Sequence, residues 1–152
     1  MRLIVKSRRL AEKDNYVNEP HLIISIRNPT SKVPDLAKND NTKGALFLEF
    51  DDLDHLPRVG SATWNALGKP ILFNSSMAKK IIEGIKDTGV HTVIVHCEAG
   101  VSRSAGVAAA LAKYHNGDDS EFFAGGGSMY SHNPYYPNRH VYRVMLEALH
   151  ES

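Results

Sequence analysis

Cysteine is scarce in this sequence, and long apolar runs are absent from it. Its 152 residues contain one cysteine, Cys97, which excludes an internal disulfide bond and argues against a structural zinc site of the usual thiolate type. A lone thiol is typical of a reducing compartment, so we expect a cytoplasmic protein. No apolar run reaches the roughly 20 residues of a membrane-spanning helix, and the apolar stretch near the start is too short for a secretory signal. We therefore expect no membrane as a partner.

An excess of charge of either sign is absent as well. The chain has 18 Lys and Arg residues against 17 Asp and Glu, a formal net charge of +1. Without a basic excess, nucleic acid is not an expected partner. No internal repeat and no shift in composition marks a boundary, and a hydrophobic content of 42% is enough for one core. Residues 1 to 152 are therefore expected to form a single domain, whose oligomeric state the sequence leaves open.

Short apolar segments alternate along the chain with segments of helical pattern. The short segments are rich in branched or aromatic residues and apolar at odd and even positions, as strands buried on both faces are. Asn74 or Ser75 is expected to begin the first long helix, and Gly89 to end it. The pattern predicts an α/β fold with a central, mostly parallel sheet flanked by helices. The predicted strands are 3 to 5, 21 to 26, 45 to 50 and 91 to 96, and the predicted helices are 75 to 87, 104 to 117 and 138 to 152.

The single cysteine lies in VHCEAGVSRSAG, residues 95 to 106, which would join the fourth strand to a helix. The backbone amides of such a loop and the positive end of the helix dipole form an anion site, and Gly100 permits backbone angles that a side chain would forbid. The planar guanidinium of Arg103 can bind two phosphate oxygens. In that field Cys97 is expected to be a thiolate, placed for in-line attack on phosphorus. Ser104 could then donate a hydrogen bond to the sulfur as it leaves the phosphocysteine.

The segment HCEAGVSRS resembles the His-Cys-x5-Arg-Ser/Thr signature of the cysteine-dependent protein tyrosine phosphatases, most of all their small dual-specificity branch. An ISI strand, a strand that ends in Asp, and YPNRHVYRVML, which is similar to the family's late Pro-Asn helix, extend the likeness. The resemblance implies that Cys97 is the nucleophile, that Arg103 binds the phosphate, and that His96 supports the loop. It implies no metal ion and no organic cofactor. The loop residues expected to bind the substrate are Glu98, Ala99, Gly100, Val101, Ser102 and Arg103.

Three neighbouring aspartates in EFDDLDH, Asp51, Asp52 and Asp54, are candidates for the general acid. In an extended segment Asp51 and Asp52 point to opposite faces and cannot both face the phosphate, whereas Asp52 and Asp54 can. The resembling family ends its strand in one short residue followed by the acid, which puts Asp52 in the catalytic place. Asp51 and Asp54 are then expected to form turns or cap helices, and Asn138 is expected to be a helix N-cap.

Other parts of the chain leave alternatives open. Residues 55 to 74, rich in Gly, Pro and polar residues around Trp64, are longer than most connections and are predicted to form a lid or a substrate-binding loop. Packing of Trp64 on the core is an equal alternative. Glu98 is either a solvated carboxylate or a residue that holds the loop. The GGGS stretch, residues 125 to 128, is predicted to lie in a loop.

The predicted function is a phosphomonoester hydrolase that acts on phosphotyrosine, and on phosphoserine and phosphothreonine if the pocket is shallow, through a phosphocysteine. Its expected partner is a phosphorylated protein or a small phosphomonoester. One alternative keeps the fold but acts on a nucleotide, an RNA end or an inositol phosphate, and the negative Glu98 disfavours such polyanions. The other alternative is a phosphate-binding module without turnover, against which the intact Cys97 and the nearby aspartates argue.

Overall fold

The computed structural model describes residues 1–123 and 135–152, and these form a four-stranded sheet with helices on both faces. The GGGS stretch lies outside the described residues. No helix within those two ranges is both long and apolar enough to cross a membrane. The elements in chain order are β1 (Arg2–Ser7), α1 (Arg8–Lys13), β2 (His21–Arg27), β3 (Thr42–Glu49), α2 (Ala62–Leu67), α3 (Ser75–Thr88), β4 (Thr92–Cys97), α4 (Arg103–Asn116), α5 (Ser120–Phe123) and α6 (Arg139–Glu151).

The strand order is β1-β4-β2-β3, and each neighbouring pair is parallel. The last strand in the chain therefore lies between the first two, where Ser7 of β1 is opposite Cys97 of β4. Because the strands are parallel, their carboxyl ends meet at one edge of the sheet, which is where ligands bind in open α/β sheets. The loop that carries Cys97 leaves the sheet at this edge.

Apolar clusters cover both faces of the sheet. On one face Leu22, Ile24 and Val95 pack with α3, α4 and α6. On the other face Ile23 and Ile94 pack with a smaller cluster, which α1 and the connections before and after β2 supply. Alternate residues of β2 and β4 thus enter different clusters, as the period of two in a strand requires. This double burial explains why both strands are apolar at odd and even positions.

The structure confirms the α/β prediction and corrects parts of it. β2 and β4 are buried on both faces, but β1 and β3 are only partly buried because they form the edges of the sheet. The three predicted helices are α3, α4 and α6, with Asn74 as the N-cap of α3 and Gly89 in the left-handed conformation at its end. Sequence patterns missed α1, α2 and α5, which are short. Side chains of Ser7 and Ser61 cap the first two of them.

Candidate active site

The loop between β4 and α4 packs against the end of β1. Gly100 has a φ of 72°, and a Cβ at this position would lie 2.7 Å from the carbonyl carbon of Lys6 and 2.7 Å from the amide nitrogen of Ser7. No side chain fits in that space, and the positive φ favours glycine independently. The amide of Arg8 also donates a hydrogen bond to the carbonyl of Glu98, at 3.1 Å. The start of the chain therefore supports this loop.

The segment before α6 holds the other half of the same loop. The amide of Tyr136 donates to the carbonyl of Val101 at 2.9 Å, and the amide of Asn138 donates to the carbonyl of Ser102 at 3.0 Å. These two bonds fix the carbonyl groups of Val101 and Ser102 against the segment before α6. The loop is thus bound from two distant parts of the chain.

Cys97 lies at the bottom of this loop, buried, with its Sγ 3.0 Å from the Oγ of Ser104. Ser104 is in the first turn of α4, where the unpaired amides and the helix dipole present partial positive charge. A hydroxyl at this distance can donate to a thiolate or to a departing sulfur. The structure therefore brings together the predicted nucleophile and its predicted hydrogen-bond donor.

Arg103 is buried with one donor unpaired. Its Nη1 donates to the Oδ1 of Asn28 at 2.7 Å and to the carbonyl of Phe50 at 2.8 Å. Its Nε is buried and has no hydrogen-bond partner in the part of the chain that the structure describes. A buried donor left unpaired costs about 1–3 kcal/mol, and an oxyanion in the loop would supply the missing acceptor. Asn28 was not predicted, because nothing local in the sequence connects it to Arg103.

His96 is fully buried and bridges β4 to β2. Its Nδ1 lies 3.1 Å from the carbonyl oxygen of Cys97, and its Nε2 lies 2.6 Å from the Oγ of Ser25. Burial is the main cause that lowers the pKa of His96 below its ordinary value, so the ring is neutral near pH 7. A carbonyl oxygen can only accept, so Nδ1 carries the proton and Nε2 accepts from Ser25. The imidazole fixes the backbone at Cys97, as the predicted supporting role requires.

Glu98 holds the loop and does not point freely into solvent. Its carboxylate lies 3.6 Å from the guanidinium of Arg8 and accepts a hydrogen bond from Ser31 at 3.2 Å. The structure therefore favours the loop-holding alternative. Since Arg8 offsets the negative charge of Glu98, that charge is a weaker argument against polyanionic substrates than the sequence suggested.

Asp52, the predicted general acid, lies against the loop between β4 and α4. Its Oδ1 accepts from the Oγ of Ser102 at 2.8 Å and from the Nδ2 of Asn138 at 2.9 Å. Asn138 has a second role as predicted, because its Oδ1 accepts from the amide of Val141 and caps α6. Sequence reasoning found the cap and missed the contact with Asp52. The Pro-Asn likeness noted above was the signal that could have indicated it.

The other two aspartates make different contacts. Asp51 is almost fully buried, and its Oδ2 accepts from the amide of Ile71 at 2.7 Å while its own amide donates to the carbonyl of Ile71 at 2.8 Å. Asp54 is exposed and pairs with the imidazole of His55 at 2.8 Å. Asp51 thus closes the intervening loop, a structural role near the turn-forming role predicted for it. Only Asp52 bonds to a side chain of the loop between β4 and α4.

The loop closed by Asp51 spans residues 52 to 70 and includes most of the stretch predicted as a lid. It contains the short helix α2, none of whose residues is fully buried. Trp64 is only partly buried, and Leu56 and Val59 are exposed. Packing of Trp64 in the main core is therefore not observed. Opening and closing of this loop over the site stays a prediction.

Comparisons with known proteins agree on the fold. No protein-family profile matches the chain, and no curated protein matches it in sequence. The human tyrosine phosphatase-like serine/threonine/tyrosine-interacting protein matches with a TM-score of 0.53 and 22% identity over 98% of this chain and 89% of that one. PTPMT1 in complex with PI(5)P matches with a TM-score of 0.53 and 19% identity over 99% of this chain and 91% of that one.

A third solved structure, a mouse protein of the dual specificity phosphatase type with zinc tungstate, has a TM-score of 0.53 and 15% identity over 98% of this chain and 82% of that one. The chain therefore has the fold of the dual-specificity type of cysteine-dependent phosphatases. Sequence identities of 15% to 22% are evidence for a shared fold and for nothing more. The catalytic roles of Cys97, Arg103 and Asp52 stay predictions.

Proposed function

We propose that the protein is a cysteine-dependent phosphomonoester hydrolase that acts on phosphotyrosine and, as a dual-specificity enzyme, on phosphoserine and phosphothreonine. The observation that carries this proposal is the buried Arg103, whose Nε has no partner among residues 1–123 and 135–152, beside a loop that also holds Cys97. Buried donors of a side chain are usually paired. The Nε of Arg27 is also buried without a partner in the described residues, but the guanidinium of Arg27 pairs with Glu49, whereas Arg103 begins the helix that follows the Cys97 loop. An arginine reserved for a bound oxyanion keeps one donor free.

The proposed reaction has two steps. The thiolate of Cys97 attacks phosphorus, the bond between phosphorus and the leaving oxygen breaks, and Asp52 gives that oxygen its proton. Water then attacks the phosphocysteine, Asp52 takes a proton from it, and inorganic phosphate leaves while the sulfur departs as a thiolate beside Ser104. Arg103 and the loop amides bind the phosphoryl oxygens throughout, where their charge stabilises both transition states.

A second candidate is the hydrolysis of an inositol phosphate. Two observations favour it as the runner-up: the pairing of Glu98 with Arg8 lowers the negative charge at the loop, and the similar fold of PTPMT1 was solved with PI(5)P. The loop positions Ala99 and Val101 nevertheless offer no cation for a second phosphate. This absence of basic loop residues is why a protein substrate is preferred.

The test is a hydrolysis panel of phosphotyrosine, phosphothreonine, inositol phosphate and nucleotide substrates. Cys97→Ser and Arg103→Lys are both expected to abolish turnover, since one removes the nucleophile and the other the two-point contact with phosphate. Arg9→Lys, at an exposed position on α1, is the matched control and should retain full activity. If the activity of Cys97→Ser stays within tenfold of the wild-type activity, the covalent mechanism is wrong.

A further inference from the structure

A groove beside the predicted general acid takes no part in the reaction steps above. Its volume is about 310 Å³, at the small end of the range of roughly 300–1,000 Å³ that ligand pockets span. It lies between the residues that follow β2 and the helix α2. The residues that line it include Asn28, Pro29, Thr30, Leu53, Ala66 and Leu67.

The groove is continuous with the phosphate site through two shared residues. Asn28 lines the groove and accepts a hydrogen bond from Nη1 of Arg103, at 2.7 Å. Asp52 also lines the groove and accepts a hydrogen bond from Ser102 of the phosphate loop. A group bound in the groove would therefore be attached, within a residue or so, to the phosphoryl group held by the loop.

One wall of the groove is formed by α2, which does not pack into the core of the protein. Ala66 and Leu67 belong to α2, which has no fully buried residue. The loop that carries α2 is closed at its base by the two hydrogen bonds between Asp51 and Ile71. Because α2 adds little to the core, the position of its apolar residues over the groove needs another explanation.

The chemistry of the walls selects the kind of group that fits. Pro29, Leu53 and Leu67 offer apolar contact. Because Asp52 carries a proton when the substrate binds in the reaction proposed above, the carboxylate of Asp51 supplies the negative charge, and no cation of the described lining balances it. An acidic group would be repelled there. An uncharged apolar group of the size of one side chain would bury its surface against the apolar wall.

We propose that this groove is a specificity subsite, which binds an uncharged apolar side chain next to the phosphorylated residue of a protein substrate. The proposal rests on the proposed function, since it needs the phosphate to lie on the loop. Asn28 and Thr30, on the inner wall, have amide and hydroxyl groups that can hydrogen-bond to the backbone of an extended peptide. The subsite would thus read the residue beside the phosphate and reject acidic neighbours.

The experiment compares phosphotyrosine peptides that differ only at the two positions beside the phosphotyrosine. Each of these positions carries Leu, Gly or Glu. We expect kcat/KM to be about tenfold higher with a flanking Leu than with Gly at one of the two positions, and lower still with Glu. An aryl phosphate without a peptide is measured in parallel. Turnover of the aryl phosphate with equal rates for all peptides would overturn the subsite and leave the proposed function intact, whereas no turnover of any substrate contradicts the proposed function itself.

Two variants locate the effect. Leu67→Asp adds charge to the apolar wall and Ala66→Trp fills the groove, so each should bring the ratio between the Leu and Gly peptides close to one. Thr63→Asp, on the same helix but exposed and outside the groove, is the matched control and should keep the ratio. If the ratio survives both groove variants, or if inositol phosphate is the preferred substrate and peptides are not discriminated, the proposal is wrong.

Discussion

At the scale of single residues, Asp52 is held by one of its two carboxylate oxygens. Both hydrogen bonds that it accepts from side chains of the described residues, Ser102 and Asn138, end on Oδ1. If Asp52 is the general acid, as proposed, the other oxygen, Oδ2, would carry and transfer the proton. The hydrogen bonds also prevent rotation of the carboxylate, so the proton would be delivered along one direction.

Asp52→Asn is expected to slow hydrolysis of a tyrosyl or alkyl phosphate by on the order of 10²-fold, because such leaving groups need a proton. Hydrolysis of an activated aryl phosphate should slow less, and the basic limb of the pH-rate profile should flatten. Asp54→Asn removes an exposed carboxylate nearby and serves as the control. If Asp51→Asn or Asp54→Asn shows this slower hydrolysis and flattened basic limb and Asp52→Asn does not, Asp52 is not the general acid.

His96 makes the stability of the protein depend on pH. Burial lowers the pKa of His96 in the folded state, whereas in the unfolded chain it returns to about 6.5. As pH falls through about 6.5, the unfolded state binds a proton that the folded state does not, so the free energy of unfolding decreases. Urea unfolding between pH 7.5 and 5.5 should show this decrease, and His96→Gln should show less of it. Parallel curves for the two proteins would exclude His96 as the cause.

Some residues of the site could be predicted from the sequence, and others could not. Cys97, Arg103 and Ser104 are close together in one motif, so local pattern was enough to predict their proximity. Asn28 and Asn138 contact the site from distant elements, at separations of 75 residues from Arg103 and 86 residues from Asp52. Such contacts depend on how the elements pack, and no local pattern contains that information.

At the scale of elements, the loop between β4 and α4 has a conformation that only glycine permits at one point. Gly100 combines a left-handed φ with direct contact to the backbone of β1. Gly117, at the end of α4, has nearly the same φ, 74°, but a Cβ there would meet nothing within 4 Å. A side chain at Gly117 would meet only the unfavourable backbone angle, whereas a side chain at Gly100 would also clash with β1. Comparing substitutions at the two positions therefore distinguishes the two free-energy costs.

Gly100→Ala is expected to destabilise the protein clearly more than Gly117→Ala, which carries only the backbone cost of roughly 1–3 kcal/mol. Gly100→Ala should also abolish turnover, because the loop between β4 and α4 must move away from Lys6 and Ser7 to make room for the Cβ. Chemical unfolding and hydrolysis of an aryl phosphate measure the two effects. Equal destabilisation by both substitutions, with full activity, would mean that the contact with β1 does not hold the loop.

The sequence predicted the long elements well and the short ones poorly. The helices α3, α4 and α6 run for three or more turns, so their apolar residues repeat often enough to be recognised. The helices α1 and α2 have six residues each and form through a capping serine and their place in the fold. The edge positions of β1 and β3 were also missed, because strand order depends on pairing between distant segments.

At the scale of the whole molecule, the proposed anion site, the loop between β4 and α4, connects β1 with the segment before α6. This loop contacts Lys6 and Ser7 on one side and Tyr136 and Asn138 on the other. An oxyanion that binds this loop in the folded state and not in the unfolded chain must stabilise the entire fold. Stability is therefore a measure of binding that does not require turnover.

Vanadate or tungstate at 100 times its dissociation constant should raise the free energy of unfolding by about 2.7 kcal/mol. Arg103→Ala should lose most of this increase, because it removes the unpaired Nε. Thermal or urea unfolding with and without the anion makes the measurement, and Arg9→Ala is the matched control. An unmodified protein that gains nothing from saturating oxyanion would contradict both catalysis and simple phosphate binding at this loop.

The position of β4 between β1 and β2 has a consequence for synthesis on the ribosome. The first 91 residues contain three strands of the sheet but lack the one that joins β1 to β2. Of the pairings in the folded sheet, a nascent chain of that length can form only the one between β2 and β3, since β1 pairs with β4. Insertion of β4 completes the sheet and places Cys97 at its edge in the same event. The step that completes the sheet is therefore also the step that places Cys97 opposite the end of β1.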